Sequence, residues 1–427
     1  MPKKTIVLRL LLLGAIITYL APTAHTSDWL SINGYYKSYF TAYDYPDIDF
    51  LDSDDDAISA AVNNRVRLEA GLEITDWLSL AGAYDFLPRV MSDKIEGTTG
   101  YLMFLGSLQP DYRVDDFRER LYPGPDESID NFGIYQNLDR LYLTLESRYA
   151  DFYIGRQPIA WGSARVINPT DILAPYAFNE LDVEDRIGVD AVRVRIPIGF
   201  MGEIDAGYVF GGDFEYERSA MFLRSKFYYR RNDISLIAVG FYENLMLGFD
   251  WTRPIGGAGF WLEGAYIFNK ALTGDDRGGG RDFFRATVGA DYSLRDGTYL
   301  FMEYHFSGVG TNDIDEWRDV ITNPSFETAS IYLIGKHYLA PGIAYQITPL
   351  LILNGQILAN LGDPSMFIMP SVEYNIAENI YLSGGAYFGL GKSVDYDYGF
   401  TGIDGIHYNS EFGNYPDFYF TSFRIYF

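Results

Sequence analysis

Alternation of apolar and polar side chains along nearly all of a 427-residue chain limits its possible folds more than any other feature. Between Arg65 and Ile74 one row holds Arg65, Arg67, Glu69 and Glu73, and the other Val66, Leu68, Ala70, Leu72 and Ile74. A strand sends successive side chains to opposite faces, so this stretch is a strand with one oily side and one polar side. In 140–146 the apolar row is pure leucine, and in Val192–Ile196 two arginines alternate with branched aliphatics. The first nine segments that read this way are 29–43, 63–75, 78–87, 138–148, 151–159, 189–197, 202–210, 219–229 and 233–242. The other nine are 244–253, 260–268, 282–293, 298–307, 330–347, 350–360, 366–375, 380–389 and 417–427. Most approach the ~9–11 residues that a tilted strand uses to cross a hydrocarbon layer.

The connections sort by parity. Even-numbered ones are turn-like, as at Thr75-Asp76-Trp77, Arg230-Arg231-Asn232 and Thr348-Pro349. Every long one is odd-numbered: 44–62, 88–137, 160–188, 269–281, 308–329 and 390–416. Short turns at one end and long loops at the other are what a transmembrane antiparallel up-and-down β-barrel shows. An even count puts both chain ends on the short-turn side. Eighteen strands satisfy this, and so do sixteen if one hairpin is divided differently.

Composition agrees. Tyr (36), Phe (30) and Gly (43) are abundant, and rings are what two membrane–water boundaries need. Cysteine is absent, which excludes disulfides, thiol catalysis and iron–sulfur ligation on this chain. A net charge of −25 makes nucleic acid a poor partner. Residues 1–24 have a basic start, an apolar run from Leu10 to Ile17 and small residues near Ala24. They read as a signal peptide, cut somewhere in 21–27, ahead of a single barrel over 25–427.

The final strand alternates Tyr419, Thr421, Phe423, Ile425 and Phe427 against Phe420, Ser422, Arg424 and Tyr426. It resembles the closing strand of bacterial outer-membrane β-barrels. The resemblance implies that Phe427, with Ile425 and Phe423, is the signal read by the barrel-assembly machinery. A second stretch, Gly155-Arg156-Gln157 through Trp161-Gly162 to Asn168-Pro169-Thr170-Asp171, resembles a pattern in several poorly characterised porin-like families. There the third external connection commonly folds into the lumen. One reading of this stretch is a constriction with Arg156, Arg165 and Asp171 facing the pathway. The other is a turn packed on the wall, with Arg156 in an internal salt bridge.

The inward rows carry Arg65, Arg67, Arg140, Arg193, Arg195, Arg224 and Lys226. Charge of one sign concentrates the opposite ion, so an unopposed basic wall favours anions. Glu69, Glu73 and Glu146 share these faces and are candidates to neutralise it. The acidic run 44–56 is either a divalent-cation bridge to lipopolysaccharide or a merely solvated loop. Asp115–Arg120 is expected to form a helical turn. Glu303 and His305 share a strand face, but a satisfied hydrogen bond explains that pair better than catalysis does. No nucleophile–base pair, phosphate-cradling loop or metal-spaced histidine cluster is present in the sequence, so neither an enzyme nor a cofactor is expected.

The expected function is that of an outer-membrane, porin-like channel for small polar or ionic solutes. Lipid, lipopolysaccharide and the assembly machinery are its expected partners, and porins often trimerise. The alternative is a barrel sheath around a periplasmic or surface multihaem cytochrome.

Overall fold

A computed structural model describes residues 29–44, 58–92, 112–272, 280–396 and 406–427, apart from 116, 118, 125, 130, 324, 325, 327 and 330. The expected signal peptide and nearly all of the acidic run 44–56 lie outside the described residues.

Among the described residues eighteen strands form an antiparallel sheet that closes on itself, with a short nineteenth, Glu119–Tyr122, added beside one of them. The first six are β1 (Leu30–Asp44), β2 (Ile58–Thr75), β3 (Leu78–Met91), β4 (Phe132–Glu146), β5 (Asp151–Pro158) and β6 (Gly188–Ile198). Next come β7 (Gly202–Val209), β8 (Ala220–Tyr229), β9 (Asn232–Phe241), β10 (Asn244–Ile255), β11 (Ala258–Phe268) and β12 (Phe283–Ser293). The last six are β13 (Tyr299–Ser307), β14 (His337–Thr348), β15 (Leu351–Asn360), β16 (Ser365–Ala377), β17 (Ile380–Leu390) and β18 (Asp417–Tyr426). Each strand pairs with the next in sequence, and β18 returns to β1 in a register running from Tyr35↔Tyr426 to Asp44↔Asp417. Closure leaves no edge with unpaired backbone groups.

At one end every connection is two to five residues long. Gly256 and Gly257, both at positive φ, make one such two-residue turn, matching the right-handed twist of the flanking strands. Arg230 and Arg231 adopt the same left-handed backbone without being glycine. The outward rows are apolar and exposed, with Leu141, Leu143, Phe152, Ile154, Leu223, Leu236 and Val288 among them. The inward rows hold the buried polar and charged groups, including Lys37, Arg67, Asp85, Asp205, Glu263 and Glu303. Half of each strand is therefore polar, which is why mean hydropathy is close to zero (−0.07).

Number and order of strands match the periodicity, while three starts differ. β2 and β4 begin at 58 and 132 rather than 63 and 138, extended by pairs such as Asp44↔Ile58 and Val90↔Phe132. Here polar residues such as Asn63, Asn64, Gln136 and Asn137 blur the alternation. β14 begins at 337 rather than 330, because Ile331, Leu333 and Ile334 are buried loop residues whose apolar run imitates a strand. The expected helical turn at 115–120 is also corrected: Glu119–Tyr122 is extended and pairs with the outer part of β4. The Arg120 guanidinium donates to the carbonyls of Gly124 and Glu127, folding the chain back after it.

The apolar core lies inside the tube. Connections 159–187, 308–336 and 391–416 bring Ile159, Ile172, Leu173, Trp317, Ile331 and Phe412 against inward residues such as Phe222, Met246, Tyr338 and Phe367. At the seam, Gly34 and Phe427 exchange two backbone hydrogen bonds of 2.9 Å. A Cβ on Gly34 would fall 2.3 Å from the Arg67 carbonyl and 2.9 Å from the Phe427 ring. Gly34→Val is therefore expected to cost about 3 kcal/mol, the upper part of the usual overpacking range. It should lower the temperature at which the barrel loses its heat-modifiable gel mobility.

Candidate constriction and lumen

Pro158 has no N–H to continue the ladder, and after it the chain leaves the wall and enters the tube. An irregular segment crossing a lumen must find partners for its backbone N–H groups, since leaving them buried and unpaired is costly. Two inward carboxylates supply them. Glu263 on β11, fully buried, accepts from the N–H of Ser163 (3.0 Å), Ala164 (3.2 Å) and Thr170 (2.7 Å), and from the Thr170 hydroxyl (2.7 Å). Glu303 on β13 accepts from the N–H of Arg165 and Val166 and from Trp261 Nε1. Further ties are Ser163 Oγ to Asp250 (2.5 Å), Trp161 Nε1 to Asp205 (3.3 Å) and Arg285 Nε to the Pro169 carbonyl (2.8 Å).

The segment then crosses to the opposite wall. The Phe178 ring packs against Phe367, Phe412 and Tyr415 at centroid distances of 5.6, 6.0 and 6.1 Å. Beyond it three acids meet a cluster of bases. Lys37 Nζ lies 2.8 Å from Asp182 and 2.6 Å from Glu184, Arg65 lies 3.3 Å from Asp182, and Arg140 lies 3.3 Å from Asp185. Tyr35 and Tyr426 donate their hydroxyls to Asp185 and Glu184 at 2.6 and 2.7 Å. Arg67, fully buried, is shared among Asp85 (3.3 Å), Asp139 (2.9 Å) and Glu69 (2.6 Å). A β-bulge in β4, with Ala83↔Arg140 followed by Tyr84↔Leu138, adds Asp139 to the inner face beside Arg140.

The remaining inward bases are paired as well. Arg193 lies 2.6 Å from Asp205, Arg195 bridges Glu203, Arg224 lies 3.4 Å from Glu203, and Lys226 is 3.8 Å from Asp233. Of the acids read from the sequence only Glu69 joins this network. Asp85, Asp139, Asp182, Glu184, Asp185, Glu203, Asp205 and Asp233 do the rest, which short-range alternation had no means of revealing. Glu303 and His305 do not contact each other: His305 is 2.8 Å from the Thr287 hydroxyl, and Glu303 holds the loop.

The three candidates in the loop signature have different fates. Arg165 is 52% exposed, forms an ion pair with Asp291 (3.0 Å), and lies over the Trp261 ring. Asp171 is buried, 2.8 Å from Arg186. Arg156 departs from the expected lumen position. It shares the row of the outward Phe152 and Ile154, and is held by Asp190 (2.8 Å) and by the carbonyls of Leu138 and Asp115. Phe423 and Ile425 pair with Ser38 and Tyr36 of β1.

Burial pushes the Asp171 carboxyl up to about 7, against the opposing pull of Arg186. A carboxyl raised on folding binds a proton that the unfolded chain has already released, so stability falls as pH rises from about 4 to 7. Asp171→Asn removes that slope. Thermal melts of the variant and parent should therefore converge or cross in the variant's favour as pH increases over this window.

Beside the infolded segment a cavity of about 600 Å³ remains, between Arg165, Asn168 and Tyr176 on the loop and Tyr299, Phe301, Asn354, Gln356 and Ser371 on the wall. Among the described residues no group of histidines and acids is arranged to hold a metal ion.

No protein-family model matches the chain, and no curated protein matches it. Solved structures do. One is OccAB2 of Acinetobacter baumannii, at 10% identity and a TM-score of 0.54, covering 94% of this chain and 98% of that one. Another is OccAB3 of the same organism, at 9% identity and a TM-score of 0.53, covering 93% and 99%. At such identities the likeness is one of fold, and what the chain shares with both is a closed transmembrane-type β-barrel over almost its whole length.

Proposed function

We propose that this barrel is an outer-membrane channel for passive diffusion of small polar or ionic solutes, narrowed by the segment 159–187. The observation carrying this reading is that the segment crosses the tube and is tied to both walls, while an open space persists beside it. A closed barrel with an apolar exterior satisfies every backbone group within lipid, and its polar interior admits water. Insertion through the Phe423–Ile425–Phe427 row, contact with lipopolysaccharide and trimer formation belong to the same proposal. The sheath alternative gains no support, since a segment across the lumen occupies the space that a cytochrome would need.

Purified protein in a planar bilayer should give discrete conductance steps; a current equal to that of bare lipid would overturn the reading. Because the inward bases are paired, ion preference should be weak. Arg193→Glu with Arg195→Glu places four acids where two pairs stood, and should move the reversal potential toward cation selectivity.

A further inference from the structure

The walls of the remaining passage differ in kind. Arg65, Arg67, Arg140, Arg193, Arg195 and Arg224 on β2–β8 are each ion-paired, whereas the inward residues of β14 and β15 carry no acid, lysine or arginine. Asn354 and Gln356 on β15 and Ser371 on β16 are half-exposed within the cavity, and none makes a side-chain hydrogen bond to another described residue. They are hydrogen-bonding groups that no described side chain or backbone group satisfies. Asn354 pairs with Ser371 on one side and Ala344 on the other, and Ala344 in turn with Tyr299, so amide, hydroxyl and ring lie in one row across four strands.

Ring faces complete the site. Phe301 pairs with Gly342, where a Cβ would fall only 2.1 Å from the ring, so the ring leans over the glycine. The Tyr299 ring follows at 6.1 Å and 37°. A flat ring with uncharged donors and acceptors beside it suits a solute with both an apolar face and a rim of hydroxyls. Of the ionisable groups in the same cavity, Arg165 pairs with Asp291 and Arg186 with Asp171, the buried Arg285 donates to the carbonyls of Pro169 and Ala329, and Glu180 accepts from the N–H of Ala177. An anion approaching Arg165 or Arg186 must compete with a resident carboxylate. At about 600 Å³ the space falls within the ordinary range for small-molecule sites.

Resting on the channel reading, we infer that this wall is a recognition site for neutral polyhydroxylated ring solutes. Such a solute stacks on Phe301 and Tyr299 while its hydroxyls bond to Asn354, Gln356 and Ser371.

The test uses the full barrel in planar bilayers, with maltotriose as the neutral probe and gluconate as the charged one. Maltotriose should interrupt the ion current in a saturable way. Phe301→Ala, and separately Asn354→Leu with Gln356→Leu, should each weaken that block about tenfold, the scale of one ring contact or a pair of hydrogen bonds. The ion conductance of both variants should persist, which shows that they fold. Ion current without maltotriose block, block unchanged in both variants, or stronger interaction with gluconate would each overturn the inference and leave the channel standing. Absence of any ion current would overturn the channel and this site together.

Discussion

Glu263→Ala is expected to raise the single-channel conductance and make it unsteady. Glu263 accepts from three backbone N–H groups and one hydroxyl of the infolded segment, and the structure gives it no ion pair on the opposite side. Its removal strands four donors in a buried place, where each one left without an acceptor costs about 1–3 kcal/mol. Release of residues 162–171 into the water of the lumen is the cheaper outcome. The cross-section they occupied then opens to ions. Glu263→Gln keeps one accepting oxygen but turns an amide toward N–H groups, so it should fall between parent and alanine. The checks are conductance and current noise in a planar bilayer, with the melting temperature measured alongside. An alanine variant with parental conductance and quiet current would show that the segment does not depend on this carboxylate.

The second large effect lies at the opposite anchor. Asp182→Asn, Glu184→Gln and Asp185→Asn together remove the acids that face Lys37, Arg65 and Arg140. Lys37 is fully buried and these acids are its ion-pair partners, so it must gain water, and the tip must move to admit it. Lys37 then loses both its acids, while Arg65 keeps only Asp85 (3.0 Å) and Arg140 only Asp139 (3.5 Å) among the described residues, so positive charge at this wall is no longer balanced. The reversal potential in a salt gradient should swing toward anions, opposite in sign to the swing expected of the Arg193/Arg195 double variant. High salt should reduce the swing, because exposed charge is screened within about 8 Å at physiological ionic strength. An unchanged potential would show that the tip acids do not control access of ions to this wall.

Much of the architecture was legible because it rests on a period of two and on connection length, both local properties. All eighteen strands could be placed from alternation, and the parity of long and short connections gave the barrel its two ends. Where local pattern lost meaning, the reading slipped. The apolar run around Ile331–Ile334 looks like a strand, and only the three-dimensional arrangement shows it sunk into the mouth of the tube. The site was legible only by half. The signature from Gly155 to Asp171 marked the segment that enters the lumen, but Glu263 and Glu303, which hold it, are about a hundred and more residues away. Nothing in their own neighbourhoods distinguishes them from other inward acids. The basic rows were equally visible, but their partners Asp182 and Asp185 sit on a loop whose fold no periodicity describes. Arg156 misled because the signature places it among lumen candidates, whereas strand parity turns it outward.

The acidic tip has one more consequence. Lys37 belongs to β1 and Tyr426 to β18, the two strands whose meeting shuts the cylinder, and Glu184 touches both. A stretch from the middle of the polypeptide thus clasps the joint between its two extremities from within. The clasp can engage fully only after those extremities have come together. The anchor at the seam is therefore completed only when the tube is closed, while the anchor at Glu263 and Glu303 does not depend on the seam.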